Sequence, residues 1–167
     1  DRCLSRGLGD VYKRQGGRHA NAWFGKAKLS VVERYINKLM RTGPYTGKKQ
    51  GAMKAFETAL DNIAEKSGEN PLQTFVDAIC NGAPMEEITR IKFGAVSQPK
   101  AVDSSPSRRL DVALRNLAKG AQQGTHKSKR TLTSCIINEL TKAASGDVTS
   151  FAVSKKEELE RIAASAR

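Results

Sequence analysis

Four short stretches of this chain carry residue types that do chemistry elsewhere, and in each the spacing argues against it. Gly43-Pro-Tyr-Thr-Gly47-Lys48-Lys49 offers the glycines and lysine of a phosphate-cradling loop. It is one residue short between the glycines, and Lys49 stands where the metal-binding serine or threonine belongs. Ser97-Gln-Pro-Lys100 has the separation of an acylating serine and its lysine, but it falls on an extended segment beside proline, without the companion motifs. His19 and His126 sit among basic residues and lack the carboxylate or thiolate neighbours that base catalysis or metal ligation calls for. Cys3, Cys80 and Cys135 are odd in number and form no CxxC pair, which points to a reducing compartment and away from a disulfide or zinc framework. Cys80 and Cys135 fall on apolar helical stripes and are read as small core residues. No catalytic residue, metal, cofactor or small-molecule substrate is expected.

Charge is the informative property. Lys and Arg number 29 against 17 Asp and Glu, a net charge of +12, and such an excess suits a polyanionic partner. The cations cluster: Arg41, Lys48 and Lys49 around a glycine-rich turn; Arg90, Lys92 and Lys100 in an alternating stretch; Arg108 and Arg109, with Arg115 beyond them; and Lys127, Lys129 and Arg130 between two helical patterns. Isolated Lys66 and Lys142 are read as solvated side chains worth little. The arginine pair differs, because positive charge at a helix start opposes the helix dipole, a cost that a phosphate relieves. Aromatic residues make up 5% of the chain, which favours reading of backbone and shape in folded RNA over stacking on bases.

These residues must be positioned by a mainly helical fold. Ser30-Val-Val-Glu33 is a capping box for a first helix with the stripe Val32, Tyr35, Ile36, Leu39 and Met40, closed by Gly43-Pro44. A second helix from about Lys48 to Lys66 turns Ala52, Met53, Phe56, Ala59, Leu60 and Ile63 inward and ends at Ser67-Gly68. Asn70-Pro71 caps a third, with Leu72, Phe75, Val76, Ile79 and Cys80 inward. The period then changes from helix to strand: Thr89, Ile91 and Phe93 alternate with Arg90 and Lys92, Gly94 turns, and the chain returns as a second strand interrupted by Pro99. This predicts a β-hairpin over about 86–103, with Phe93, Gly94, Ala95, Val96, Ser97 and Gln98 at its tip. An isolated hairpin is marginal in water, so it packs along its Ile91 and Phe93 face or is held by a partner.

Ser105-Pro106 opens a fourth helix, with Leu110, Ala113, Leu114, Leu117 and Ala118 inward and Gly120 and Gly124 loosening its end. A fifth carries Leu132, Cys135, Ile136, Leu140 and Ala143 to Gly146. Ser154-Lys-Lys-Glu157 reads as a second capping box, for a last helix with Leu159, Ile162, Ala163 and Ala166 inward. The expected architecture is a six-helix bundle with a protruding β-hairpin between helices three and four. Residues 29–167 form one domain. Residues 1–28 lack periodicity and are read as extended or disordered; Asp10 to Gln15 resembles the translation of a transposon-end sequencing adapter, so residues 1–15 are expected to be a read artefact. Those 15 residues hold only four basic and two acidic side chains, so the basic excess does not depend on them. No apolar run approaches the roughly 20 residues of a membrane span, and a soluble, intracellular protein is expected.

The blocks "VERYINKLM", "GKKQGAMKAFETALDNI", "NPLQTFVDAICNGAP", "EEITRIKFGAVSQPKAVD", "SPSRRLDVALRNLAKGA" and "SFAVSKKEELERIAASAR" resemble, in order and spacing, the universal small-subunit ribosomal protein seven family in its archaeal and eukaryote-like branch. The resemblance implies a non-catalytic cytoplasmic protein of the ribosome. It implies binding to the 3′ major (head) domain of small-subunit rRNA, nucleation of head assembly, packing against neighbouring ribosomal proteins, and a hairpin near exit-site tRNA and mRNA. Carried onto this chain, it implies rRNA contacts at Lys48, Lys49, Arg90, Lys92, Lys100, Arg108 and Arg109, with the tip, Phe93 to Gln98, facing the tRNA. The alternative is a winged-helix DNA-binding regulator, since three helices followed by a hairpin also describe that architecture.

Overall fold

A computed structural model describes residues 23–41, 43–94 and 96–166. Its elements are α1 (Val31–Leu39), α2 (Lys49–Ser67), α3 (Pro71–Gly82), β1 (Glu86–Phe93), β2 (Val96–Asp103), α4 (Pro106–Thr125), α5 (Leu132–Ala144) and α6 (Phe151–Ser165), with short 3-10 turns at Gly25–Lys28 and Gly43–Tyr45. Among the described residues, six helices and one antiparallel hairpin between the third and fourth make the expected architecture.

Local signals start and stop most helices. Ser30 Oγ accepts from the Glu33 amide at 3.2 Å, whereas the Glu33 carboxylate, expected to complete the box, instead holds Lys49 Nζ at 2.9 Å. Asn70 Oδ1 accepts from Leu72 N at 3.0 Å ahead of Pro71, and Gly68 ends α2 at φ 68°, a left-handed geometry that costs glycine little. Two expectations fail instructively. The last helix does not begin at Ser154: it starts at Phe151 behind a buried Ser150. Its capping acceptor comes from another helix, because Glu139 Oε1 on α5 accepts from Ser150 Oγ at 2.8 Å and Ala152 N at 3.1 Å. A buried carboxylate at a helix N-terminus satisfies orphan amides that no local side chain reaches. Nor do Gly120 and Gly124 loosen α4, which runs unbroken to Thr125. A Cβ at Gly120 would lie 2.6 Å from Glu139 Cδ, and one at Gly124 would lie 3.1 Å from Cys135 Sγ, so both glycines let α5 approach.

The core gathers α1, α2 and α3 around three rings. Tyr35, Phe56 and Phe75 meet pairwise with centroids 5.2 to 5.4 Å apart, two of the contacts edge-on, the arrangement ring quadrupoles favour. Burial, with Glu139 nearby, raises the Tyr35 phenol far above its usual range, so it stays neutral. Behind the rings pack Leu114, Leu117, Ile136 and Leu140, all fully buried. The inward face of α3 is narrower than the apolar stripe suggests. Phe75, Ala78 and Ile79 are buried, and a Cβ at Gly82 would lie 3.4 Å from Ala152 Cβ. Leu72, Val76 and Cys80, four residues apart in turn, line the outer side instead. Met53 and Ile162 are likewise exposed, because alanines beside them, Ala52 and Ala163, take the close helix contacts. Cys135 is buried as expected.

One ion-pair network ties the chain's beginning to its centre. Asp111 on α4 is buried and accepts from Arg34 Nη2 on α1 at 2.9 Å and from Lys26 Nζ in the first 3-10 turn. Of the segment expected to be extended or disordered up to Lys28, Gly25–Lys28 form this turn and carry the anchor, while residues 1–22, including those expected to be a read artefact, lie outside the described residues. Burial would raise the Asp111 carboxyl, but hydrogen bonds from Lys26 and Arg34 outweigh it and hold it below its usual value.

The hairpin register pairs Glu86 with Asp103, Thr89 with Lys100, Arg90 with Pro99 and Lys92 with Ser97. Pro99 does not interrupt β2, which among the described residues has no strand partner on its other side, where a missing N–H is tolerated. The hairpin packs on the body chiefly against α6, and β2 is exposed along most of its length; Ile91 is half-buried.

Two outcomes follow for stability. Replacing Asp111 with Asn leaves Arg34 buried without its counter-charge and should cost about 3–5 kcal/mol in urea unfolding at neutral pH. Because the folded carboxyl titrates below the ordinary 3.8, its contribution is complete above that value and is lost as pH falls through the lower folded one, so the variant should show a flatter acid limb. Gly120→Ala should destabilise by about 1–3 kcal/mol by overpacking against Glu139, while Gly51→Ala, with open space around its Cβ, should be neutral or slightly stabilising.

Candidate nucleic-acid interface

Helix α4 positions the site. Its apolar side is deeply buried, with Ala113, Leu114, Leu117, Ala118 and Ala121 essentially inaccessible. That fixes where the other side points. Arg108, Arg115 and Lys119 are exposed and spaced by seven and four residues, so they share one stripe running about 16 Å along the helix. Opposite the stripe's C-terminal half lie Lys38 and Arg41, at and just past the end of α1. Lys38, Arg41, Arg115, Lys119 and Gln122 together line a groove of about 360 Å³, with no carboxylate in its wall among the described residues. Burial lowers the Lys38 amine, Asp111 pulls it back up, and Arg115, Arg41 and Lys26 press it down further. The groove is thus a place where positive charge is crowded beyond what its own surroundings neutralise.

The sequence-predicted cations divide among several places. Arg41 and Arg115 meet in this groove. Lys38 and Lys119 belong with them and are missed by the sequence reading; the signal that could have found them is helical spacing, Lys38 to Arg41 by three and Arg115 to Lys119 by four. Lys127, held at φ 52°, lines an adjoining cavity, while Lys129 and Arg130 stand exposed on the same loop. Lys48 is exposed, but Lys49 is largely covered and committed to Glu33. On the hairpin, directly paired residues share a face. Arg90 and Lys92 therefore stand on one face, whereas Lys100, opposite Thr89, stands on the other. At the tip, Gly94, Val96, Ser97 and Gln98 are exposed; Ala95 and the side chain of Phe93 lie outside the described residues.

The arginine pair has an intramolecular task. Arg108 Nε donates to Glu87 Oε2 at 2.6 Å, and the other Glu87 oxygen accepts from Ser104 Oγ at 2.7 Å. Arg109 Nε donates to the Pro84 carbonyl at 3.1 Å. From the opposite side Glu160 on α6 accepts from the Met85 amide at 3.0 Å, and Ser104 N donates to Met85 O at 2.9 Å. Both chains of the hairpin root are thereby fastened between α4 and α6. The exposed Arg108 guanidinium keeps its outer nitrogens directed at solvent, since a single Nε contact leaves the fork's other donors available.

Among the described residues no group of three or more His, Cys, Asp or Glu is placed to hold a metal, and no helix is long and apolar enough to cross a membrane. A helical body with cations gathered on one side of α4 and a rooted hairpin arm defines a polyanion-binding class of protein. Residues 9–167 match the model of the family described as ribosomal protein S7p/S5e. Small ribosomal subunit protein uS7 of Thermoplasma volcanium is 53% identical over 152 residues, covering 91% of this chain and 83% of that protein. The corresponding proteins of Archaeoglobus fulgidus, 52% identical over 151 residues (90% and 78% covered), and Methanothrix thermoacetophila, 50% over 152 residues (91% and 82%), agree. The chain belongs to the ribosomal protein S7p/S5e family, which is structural and non-enzymatic. The winged-helix alternative falls with that assignment.

If the root contacts set the hairpin's direction, Glu87→Ala should raise amide hydrogen exchange throughout β1 and β2 while leaving the global urea midpoint within the error of wild type. Unchanged exchange in the strands would show that the root is held by other means.

Proposed function

We propose that the chain is a structural constituent of the small ribosomal subunit that grips the 3′ major domain of its rRNA along the α4 stripe and the α1–α4 groove and helps nucleate head assembly, alongside neighbouring ribosomal proteins. The observation that carries the reading is the groove formed by Lys38, Arg41, Arg115 and Lys119, with no carboxylate in its wall among the described residues. Protein cations are normally interspersed with acids, and a concentration of this kind lowers its energy when phosphates replace small counter-ions. Family membership supplies the kind of phosphate polymer.

The remaining predicted contacts, at Lys48, Lys49, Arg90, Lys92, Lys100, Arg108, Arg109, Lys127, Lys129 and Arg130, belong to the same proposal with different weights. Arg90 and Lys92 share a hairpin face and act together; Lys49, already paired, contributes least. The hairpin, rooted but otherwise largely free of the body, suits an arm that carries its tip, residues 93–98, toward exit-site tRNA and mRNA. The body of the chain, residues 29–167, acts as one binding unit in this reading.

The test is binding to a 3′ major domain transcript over a range of salt. Replacing Lys38 and Arg115 with Ala should weaken binding and lower the log-log salt slope by about one unit for each phosphate that is no longer neutralised, whereas Lys142→Ala should leave it unchanged. Equal slopes for all variants, or equal affinity for duplex DNA in competition, would overturn the assignment.

A further inference from the structure

Next to the cationic groove, and sharing Lys119 and Gln122 with it, lies a second cavity of about 440 Å³. Its walls are of another kind. Tyr45 and Pro44 from the turn before α2 and Phe151 from the start of α6 supply flat apolar surface, and Lys119, His126 and Lys127 supply donors. Among the described residues no carboxylate lines it. The cavity of equal volume between α2, α3 and α5 differs on each count: its described lining contains Glu69 and Asp77 beside Lys66, and no aromatic ring. Aromatic residues are sparse in this chain, so two rings in one carboxylate-free cavity mark a departure from the rest of the surface.

Resting on the rRNA reading above, we propose that this cavity receives one unstacked nucleotide of the bound RNA, its base against Tyr45 and Phe151 and its flanking phosphates on Lys119 and Lys127, continuous with the phosphate track through the neighbouring groove. An RNA backbone lying in that groove passes the cavity mouth at Lys119. A base turned out of its helix there finds π-faces that accept any base, and the cations at the rim hold the sugar-phosphate chain on either side. The left-handed Lys127, φ 52° without the freedom of glycine, is the kind of local strain that clusters at ligand sites.

The experiment uses the whole chain and two probes, adenosine 5′-monophosphate and inorganic phosphate, each titrated to millimolar concentration and followed by amide NMR. The nucleotide should shift the resonances of Tyr45 and Phe151, and phosphate should not, although both shift those around Lys119. Identical shifts from the two probes would overturn the base-binding part and leave an anion site. In parallel, Tyr45→Leu, which keeps apolar bulk at a position packed on the edge of the core, should weaken binding of the 3′ major domain transcript by roughly 5- to 100-fold with an unchanged salt slope, and Tyr45→Phe should bind like wild type. A Leu variant that binds as tightly as wild type overturns the proposal. If wild type ignores the transcript while the nucleotide still shifts Tyr45 and Phe151, the cavity stands and the rRNA reading falls.

Discussion

Everything distinctive about this protein follows from holding like charges together on one side of α4. Arg115 and Lys119, a turn apart, repel by about 0.2–0.5 kcal/mol, and Lys38 and Arg41 face them across the groove. Left to itself a helix with such a face would be a poor one. What overrides the repulsion is the opposite face: Leu114 and Leu117 alone are fully buried, each worth about 1.5–3 kcal/mol, and the small residues Ala113, Ala118, Gly120 and Ala121 bring neighbouring helices close. The core therefore stabilises a charge arrangement that favours nothing inside the protein. In the proposed function its beneficiary is the rRNA.

Two carboxylates set the shape within which this happens. Asp111 draws α1 onto α4 through Arg34 and recruits Lys26, which fixes one wall of the groove. Glu139 reaches from α5 to the first turn of α6, which fixes Phe151 and with it one wall of the aromatic cavity. Both acids are buried and hydrogen-bonded inside the body, so neither dilutes the positive surface. The hairpin follows the same pattern: Glu87 and Glu160 are occupied at its root, and its outer part carries Arg90, Lys92 and Lys100 with no acidic residue between Arg90 and Val102.

Most of this fold is legible in the sequence because its signals are local. Ser30, Asn70-Pro71, Gly68 and the change of period at Thr89 each act within a few residues, and the elements appear where those signals stand. The readings that fail depend on residues far apart. Ser154 looks like a cap because Ser-x-x-Glu is a local pattern, but the acceptor that starts α6 is Glu139 from another helix. Gly120 and Gly124 look like breakers until α5 is seen to need the space. Leu72, Val76 and Cys80 look like core because periodicity reports that a face is apolar, not which part of it a neighbour covers. For the site, the individual clusters are visible in the sequence, but which of them share a surface is not: Lys38 joins Arg115 and Lys119 only through packing of α1 on α4, and the register alone separates Lys100 from Arg90 and Lys92. Arg108 and Arg109 are legible as a pair but not as fasteners, since Glu87 and Pro84 meet them only once the hairpin has turned back.

Lysine acetylation footprinting of the chain, alone and bound to a 3′ major domain transcript, and read by mass spectrometry, reports directly on which side of the body the RNA lies. Lys38, Lys119 and Lys127 should be strongly protected by the RNA while Lys66 and Lys142 keep their free reactivity. Protection of Lys66 and Lys142 with unchanged modification of Lys38 and Lys119 would place the RNA on the far side of the body and refute the role given to the α4 face.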